Sequence, residues 1–256
     1  SIDLVTPSSG QVGTRVEITG ERMLGGGIGL TSVTLAGAAA SIVDFNSTSI
    51  VVDAAAQTAS TGDVGLVSNT GAIVTAEDGF TYFAAGSIDS VAPEHGQVGT
   101  VVTISGTGLL GGNTALRSVT FNDIEVTNIV SQSDTEIIVA VASGDPNTAT
   151  ILMVGQNGAT ITLVDGWAYR TASAISSVAP ASGQVGTVIT ISGSNLLSSS
   201  GTVIEEVLLA NIAATVVVND QQDTVVATVT ANDGTAATGD VYIRADTGAY
   251  ATLADG

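Results

Sequence analysis

One segment of about two dozen residues recurs three times along this chain. "VTPSSGQVGTRVEITGERMLGGG" begins at Val5, "VAPEHGQVGTVVTISGTGLLGG" at Val91 and "VAPASGQVGTVITISGSNLLSSS" at Val178. Pro7, Pro93 and Pro180 mark the same point in each, in steps of 86 and 87 residues. The end of the unit recurs as well. "NTGAIVTAEDGFTY" closes at Tyr82, "QNGATITLVDGWAY" closes at Tyr169, and "DTGAYATLADG" stops at Gly256. Such a period is too long for a solenoid unit and fits one small domain. Three domains are therefore expected, at residues 1–86, 87–173 and 174–256. Each is large enough to bury a modest core of its own. The repetition also rejects a phosphate-cradling role for the glycine-rich segment. A catalytic loop is needed once, and a P-loop requires a Lys after its last Gly; the chain of 256 residues has no Lys.

Within a repeat the pattern is that of strands. Short alternating runs bounded by turns replace any 3.6-residue periodicity. In the second repeat the runs lie near 88–92, 100–105, 117–122, 124–130, 135–141, 148–154 and 159–169. Val16 and Ile18 point to one face of their strand and Glu17 to the other; Val102 with Ile104 and Ile189 with Ile191 are the sister pairs. In the sixth strand the inward pairs are Val64 and Leu66, Ile151 and Met153, Val241 and Ile243. The sixth and seventh strands meet in tight turns at Asn69-Thr70-Gly71, Asn157-Gly158 and Asp246-Thr247-Gly248, where Gly supplies a positive φ. Seven short strands in such a length match an immunoglobulin-like β-sandwich. Pro93 ends the first strand because it cannot donate to a ladder. Gly96 and Gly99 let the chain turn over the end of the sandwich, and Gly106, Gly108, Gly111 and Gly112 loosen the next loop.

These residues resemble the IPT/TIG family (immunoglobulin-like, plexins, transcription factors). The family opening stands here as "IDSVAPEHGQVGTVVTISGTGLL", from Ile88 to Leu110, and the family ending as Asp78 to Tyr82 and, with Trp167, Asp165 to Tyr169. The resemblance runs through all three repeats; only the closing aromatics of the third are missing. It implies an all-β chain of three tandem immunoglobulin-like sandwiches in a rod-like array. It also implies tandem use in cell-surface receptors, in large microbial surface proteins, beside carbohydrate-active enzymes or in dimerising transcription factors. The family brings no shared catalytic residues, so no enzyme is expected, and fold does not fix function.

Charge narrows the partners. The formal net charge is −19, with 24 Asp and Glu against five Arg, and the acids divide eight to a repeat. Phosphate backbones and anionic membrane surfaces are repelled by such a chain. No run of about 18 apolar residues is present, so no membrane insertion is expected in this segment. Without Cys there is neither a disulfide nor a thiolate metal site. Both ends read as cuts through a longer protein.

The candidate chemical groups are few. His95 stands in a turn where the sisters have Ser9 and Ser182, and a solvated loop residue is expected. Asp78-Gly79 and Asp165-Gly166 precede a strand and read as turn chemistry rather than metal ligation. A hard-cation site would draw on Asp220 and Asp223, on Asp145 and Asn147, or on Glu77 and Asp78. Ca²⁺ needs six to eight oxygens, and no EF-hand-like series is present, so no cofactor is assigned. Glu205-Glu206 reads as a solvated pair. Asn46-Ser47-Thr48 is a glycosylation sequon at a turn. Phe80 with Tyr82, and Trp167 with Tyr169, share one face of the last strand; core packing is favoured over a sugar platform. The junctions Phe83–Gly86 and Arg170–Ser173 are short, which implies a semi-rigid string with limited contacts between neighbours.

The expected function is a structural segment of a long extracellular, cell-surface or filament protein, a stalk or adhesin. The partners expected are other copies or neighbouring repeats, with the third domain completed by its own continuing chain or by a strand from the next subunit. The alternative is a receptor or carbohydrate-binding accessory module. It would meet glycans or surface proteins through the loops 21–31, 107–117 and 194–205, which differ most among the repeats.

Overall fold

The computed structural model describes residues 1–230 and 238–256. All regular structure in it is β. Repeat 1 contains β1 (Ile2–Thr6), β2 (Ser9–Gly10), β3 (Arg15–Gly20), β4 (Leu30–Leu35), β5 (Ala38–Ala39), β6 (Ser41–Phe45), β7 (Ser49–Asp53), β8 (Ser60–Ser68) and β9 (Ile73–Tyr82). They form two facing sheets, ordered β1-β3-β7-β6 and β2-β9-β8-β4-β5. Repeat 2 duplicates this with β10 (Ser87–Ala92), β11 (His95–Gly96), β12 (Val101–Thr107), β13 (Leu116–Phe121), β14 (Ile124–Glu125), β15 (Asn128–Gln132), β16 (Glu136–Ala140), β17 (Thr148–Gly155) and β18 (Thr160–Tyr169). Repeat 3 has β19 (Ala174–Ala179), β20 (Val188–Ser194), β21 (Ile204–Leu209), β22 (Ile212–Val218), β23 (Thr224–Val229), β24 (Val241–Ala245) and β25 (Tyr250–Leu253).

Each repeat closes around its own aliphatic interior. Val16 and Ile18, Val102 and Ile104, Val64 and Leu66, and Ile151 and Met153 are all fully buried. Ile189, Ile191, Val241 and Ile243 do the same in repeat 3. Truncating one such Ile or Leu to Ala costs about 2–5 kcal/mol. Three separate clusters result, and none shares a residue with another.

The fourth run differs from expectation. In repeats 1 and 2 it splits in two, with β5 and β14 in one sheet and β6 and β15 in the other. The backbone passes between sheets at this corner: Val126 N donates to Val119 O across one sheet, and Thr127 N to Ala140 O across the other. In repeat 3 a single strand, β22, makes both pairings. The exposed valines Val43, Val130 and Val217 sit where the register of this edge slips, so the bulge bends the edge away from open pairing.

Asp78-Gly79 and Asp165-Gly166 do not precede the last strand; they lie inside it. Asp78 and Asp165 have φ of 47° and 52°. The register breaks beside them, so the pair is a bulge within β9 and β18. A Cβ on Gly166 would lie 2.4 Å from Leu163 Cδ2, which leaves Gly as the residue that fits. His95 is likewise not in a turn. With Gly96 it forms β11, paired in parallel with Ala168 and Tyr169, and it is half-buried.

The closing aromatics are core residues. Phe80, Tyr82, Trp167 and Tyr169 are at most 3% exposed. Their rings meet edge to face, with centroids 5.1 Å apart for Phe80–Tyr82 and 4.9 Å for Trp167–Tyr169. Trp167 Nε1 donates to Pro93 O at 2.9 Å. The Tyr169 ring lies against Gly144, where a Cβ would come within 2.6 Å of it. In repeat 3 an apolar cleft lined by Val178, Ile189, Leu209 and Val241 opens beside Gly183.

Burial pushes the Tyr169 hydroxyl up to about 12, and that hydroxyl has no hydrogen-bond partner among the described residues. The stability from keeping it neutral is present below the ordinary tyrosine value of about 10 and is lost as pH rises through 12. Tyr169→Phe is therefore expected to leave neutral-pH stability unchanged or raised and to flatten the alkaline loss from repeat 2. Thermal melts from pH 8 to about pH 12 check this; an alkaline slope equal to that of the parent chain refutes it.

Candidate interaction site

The most constrained surface of the molecule is where one repeat meets the next. The loop Gln11–Thr14 turns over the end of repeat 1 and holds itself in shape: Gln11 N donates to Thr14 Oγ1 at 3.0 Å, and Thr14 N to Gln11 O at 3.1 Å. Gln97 and Thr100 repeat both bonds at 3.0 and 3.1 Å. Against each loop stands a hairpin turn of the following repeat, β17–β18 at the first junction and β24–β25 at the second. Arg15 N donates to Asn157 O at 2.7 Å, and Thr160 N to Val12 O at 3.0 Å. At the second junction Val101 N donates to Thr247 O at 2.8 Å.

Two glycines meet face to face in each junction. A Cβ on Gly13 would lie 2.8 Å from Gly158 O, and one on Gly158 would lie 2.8 Å from Gly13 O. For Gly99 and Gly248 the corresponding distances are 2.7 and 2.8 Å. All four have φ between 82° and 90°. Positive φ and main-chain contact each demand Gly here.

A buried glutamine ties three pieces together. Gln11 Nε2 donates to Thr160 O at 3.2 Å on the next hairpin, while its Oε1 accepts from Gly86 N at 2.8 Å on the linker. Gln97 reaches Tyr250 O and Ser173 Oγ through Nε2, and Ser173 N through Oε1. Ser173 Oγ in turn donates to Asn195 O. Gln11 and Gln97 are each 2% exposed, so their amides are satisfied where water is excluded. The junctions are thus knitted by backbone and side-chain bonds, well beyond the limited contacts read from linker composition.

The variable loops have a job here too. They are not loosened by their glycines: Met23, Leu109 and Leu196 plug the cores, and Met23 N, Leu109 N and Leu196 N donate to Ser47 O, Asp134 O and Gln222 O. Each loop braces the hairpin of its own repeat. Asn113 and Asn157 exchange bonds of 2.8 and 3.1 Å. Asp246 accepts from Thr202 Oγ1 at 2.6 Å and from Thr202 N at 3.0 Å. Asn69 Oδ1 accepts from Ile28 N at 3.2 Å. Burial raises the Asp246 carboxyl, but the Thr202, Val203 and Thr247 donors outweigh it and hold it below the ordinary value.

The remaining sequence candidates fall elsewhere. Asp220 and Asp223 are exposed, and no group of three or more His, Cys, Asp or Glu able to hold a metal occurs among the described residues. Glu205 and Glu206 are not merely solvated: Arg244 bridges them at 3.1 and 3.0 Å. Asn46 is exposed and its Oδ1 accepts from Thr48 N and Ser49 N, closing the turn that carries the sequon. No helix of the described residues is long and apolar enough to cross a membrane.

The family comparison agrees with this architecture. The sequence model described as IPT/TIG domain matches residues 1–82, 87–166 and 173–253. No curated protein matches the chain. Among solved structures, the plexin A4 extracellular region is similar at 20% identity over 91% of this chain and 21% of that one, with a TM-score of 0.49. SGBP-B from a Bacteroides ovatus mixed-linkage glucan utilization locus, solved with a mixed-linkage heptasaccharide, shows 14% identity over 86% of this chain and 55% of that one, at a TM-score of 0.30. The Down Syndrome Cell Adhesion Molecule Ig domains show 12% identity over 96% and 34%, at 0.23. The chain thus spans about a fifth of the plexin and about half of SGBP-B.

Gly99→Ala and Gly186→Ala together isolate the junction. Both glycines have positive φ, 83° and 88°, so both variants carry the same backbone strain of about 1 kcal/mol. Of the two only Gly99 faces a neighbouring repeat; among the described residues nothing lies within 4 Å of a Cβ on Gly186. Gly99→Ala is expected to lower hydrogen-exchange protection of the Val101 amide at least roughly tenfold while leaving Arg15 protected. Gly186→Ala should change neither, and equal loss in both variants would remove the junction from the account.

Proposed function

The chain belongs to the IPT/TIG domain family, and we propose that it is a non-catalytic structural length of an extracellular, cell-surface or filament protein. The observation that carries this reading is the reuse of one junction. Every repeat has the loop that receives a neighbour, and every repeat has the hairpin that is received. A module with both halves adds length by addition of copies, which suits a stalk or adhesin shaft. The partners this reading calls for are neighbouring repeats and other copies.

Composition fits the same role. Eight acids to a repeat keep a long array soluble and discourage side-by-side contact. The bulged edges with Val43, Val130 and Val217 discourage strand pairing between neighbours. The closing aromatics Phe80, Tyr82, Trp167 and Tyr169 are enclosed in cores and offer a glycan no platform; the exposed aromatics are Phe45, Phe83 and Tyr250, and Tyr250 stands at the second junction.

Protease shaving of intact cells of the source organism tests placement and role together. Peptides of this chain are expected in the released fraction before lysis. Their recovery only after lysis would overturn the reading.

A further inference from the structure

Within these three repeats two loops and two hairpins meet at the junctions, and one loop and one hairpin meet no neighbour among the described residues. The unused loop is Gln184–Thr187, and the unused hairpin is Ser68–Val74. Both are already folded as their docked sisters are. Gln184 N donates to Thr187 Oγ1 at 2.9 Å, and Thr187 N to Gln184 O at 2.9 Å, as in the other two loops. Gly71 N donates to Ser68 O at 3.0 Å, matching Gly158 N to Gly155 O at 3.0 Å and Gly248 N to Ala245 O at 2.9 Å. Association would therefore order little new backbone.

Both are also bare. Gln11 and Gln97 are buried, while Gln184 is exposed. Asn157 and Gly158 are half-buried, as are Thr247 and Gly248, while Thr70 and Gly71 are exposed. The junction glycines Gly13, Gly99, Gly158 and Gly248 touch a neighbour's backbone; among the described residues nothing lies within 4 Å of a Cβ on Gly71 or Gly186. Apolar side chains flank the bare pair, with Val185 54%, Val188 56% and Ile73 71% exposed. In a chain of net charge −19, neither segment carries a charged residue.

We propose that the Gln184–Val188 face of repeat 3 docks the Ser68–Val74 hairpin of a second copy of this chain, so that copies join head to tail by a third use of the internal junction. The register follows from the two existing junctions. Gly186 would face Gly71, Val188 N would donate to Thr70 O, and Gln184 Nε2 would reach Ile73 O. The contact is heterologous and extends into a linear array rather than a closed dimer. It deepens the shaft reading above and rests on it for purpose, while its own test depends only on the two faces.

The patch is small beside a stable interface, and intermolecular docking lacks the high effective concentration that the linkers supply within the chain, so association is weak. Repulsion between acidic copies is screened by salt, so added salt strengthens it. Sedimentation velocity of the intact chain, from about 10 μM to about 1 mM in high salt, is expected to show a rising series of linear oligomers. Two variants with charges on exposed positions separate the faces: Ile73→Asp blocks the hairpin and Val185→Asp blocks the loop. Each alone is expected to stay monomeric with an unchanged thermal melt. Mixed in equal amounts, they are expected to give one-to-one pairs and no longer species, because one free loop and one free hairpin are left between them. A parent chain monomeric across the range, a single variant that still oligomerises, or a mixture without pairs would each overturn the proposal. None of these outcomes bears on whether the protein is at the cell surface.

Discussion

The tandem arrangement depends on main chain meeting main chain at two glycines. At Gly13–Gly158 and Gly99–Gly248 the carbonyl oxygen of each partner stands within 2.8 Å of where the other's Cβ would be. That approach lets the amides of Arg15 and Val101 reach the carbonyls of Asn157 and Thr247. Any side chain there would push the hairpin off the loop and strand these bonds, and with them the glutamine amides beneath. A buried Gln without partners is worse than no Gln, at about 1–3 kcal/mol for each polar group left unpaired. The glycines and the glutamine therefore function as one unit, and "QVGT" recurs because the whole unit is needed at every step.

The arrangement reconciles a strong negative charge with close contact. The acids sit on exposed strand faces and loops, where Arg15 with Asp53, and Arg244 with Glu205 and Glu206, offset only a little of the charge. Such exposed pairs contribute at most about 1 kcal/mol. The docked loop and hairpin segments, Gln11–Thr14 with Asn157–Thr160 and Gln97–Thr100 with Thr247–Tyr250, are instead uncharged, with the Arg15–Asp53 pair beside the first. Charge repels the flanks of neighbouring molecules, while the loop Gln184–Thr187 and the hairpin Ser68–Val74 at the ends carry no charge. Contact is thereby directed to the ends.

Fold and repeat were legible in the sequence because both rest on periodicity. The alternation at Val102 and Ile104, or at Ile151 and Met153, is a direct print of a two-sided strand, and the spacing of the prolines counts the domains. The junction was not legible in the same way. Gly99 was correctly assigned to a turn at the end of the sandwich, but a positive φ accounts for a glycine by itself, so nothing local betrayed the second demand from Gly248. Gln97 gave no signal either; a polar residue in a turn is ordinarily solvated, and only the position of Ser173 and Tyr250 buries it. The Asp-Gly bulges escaped for a related reason. Asp78-Gly79 is turn chemistry, and only its pairing with β8 shows that the strand continues through it.

The variable loops brace the docked hairpins from within their own repeats. They differ in length and composition, which invited a reading as ligand contacts. Their polar groups instead point inward to the hairpin: Asn113 to Asn157, Thr202 to Asp246, Ile28 N to Asn69. Three different chemistries brace one geometry. This variety is tolerated because the docked partner's hydrogen bonds go to hairpin backbone, while the hairpin side chain beside its glycine is Thr160 at one junction and Tyr250 at the other. Thr70, Asn157 and Thr247 occupy the same place and offer the same carbonyl. Sequence is therefore free to drift in the brace and in the turn, provided the glycine stays and the turn is held at one angle. Conversely, the receiving loop cannot drift, since its side chains make the clamp. That asymmetry explains why the loop is spelled identically three times while the hairpin is spelled differently each time.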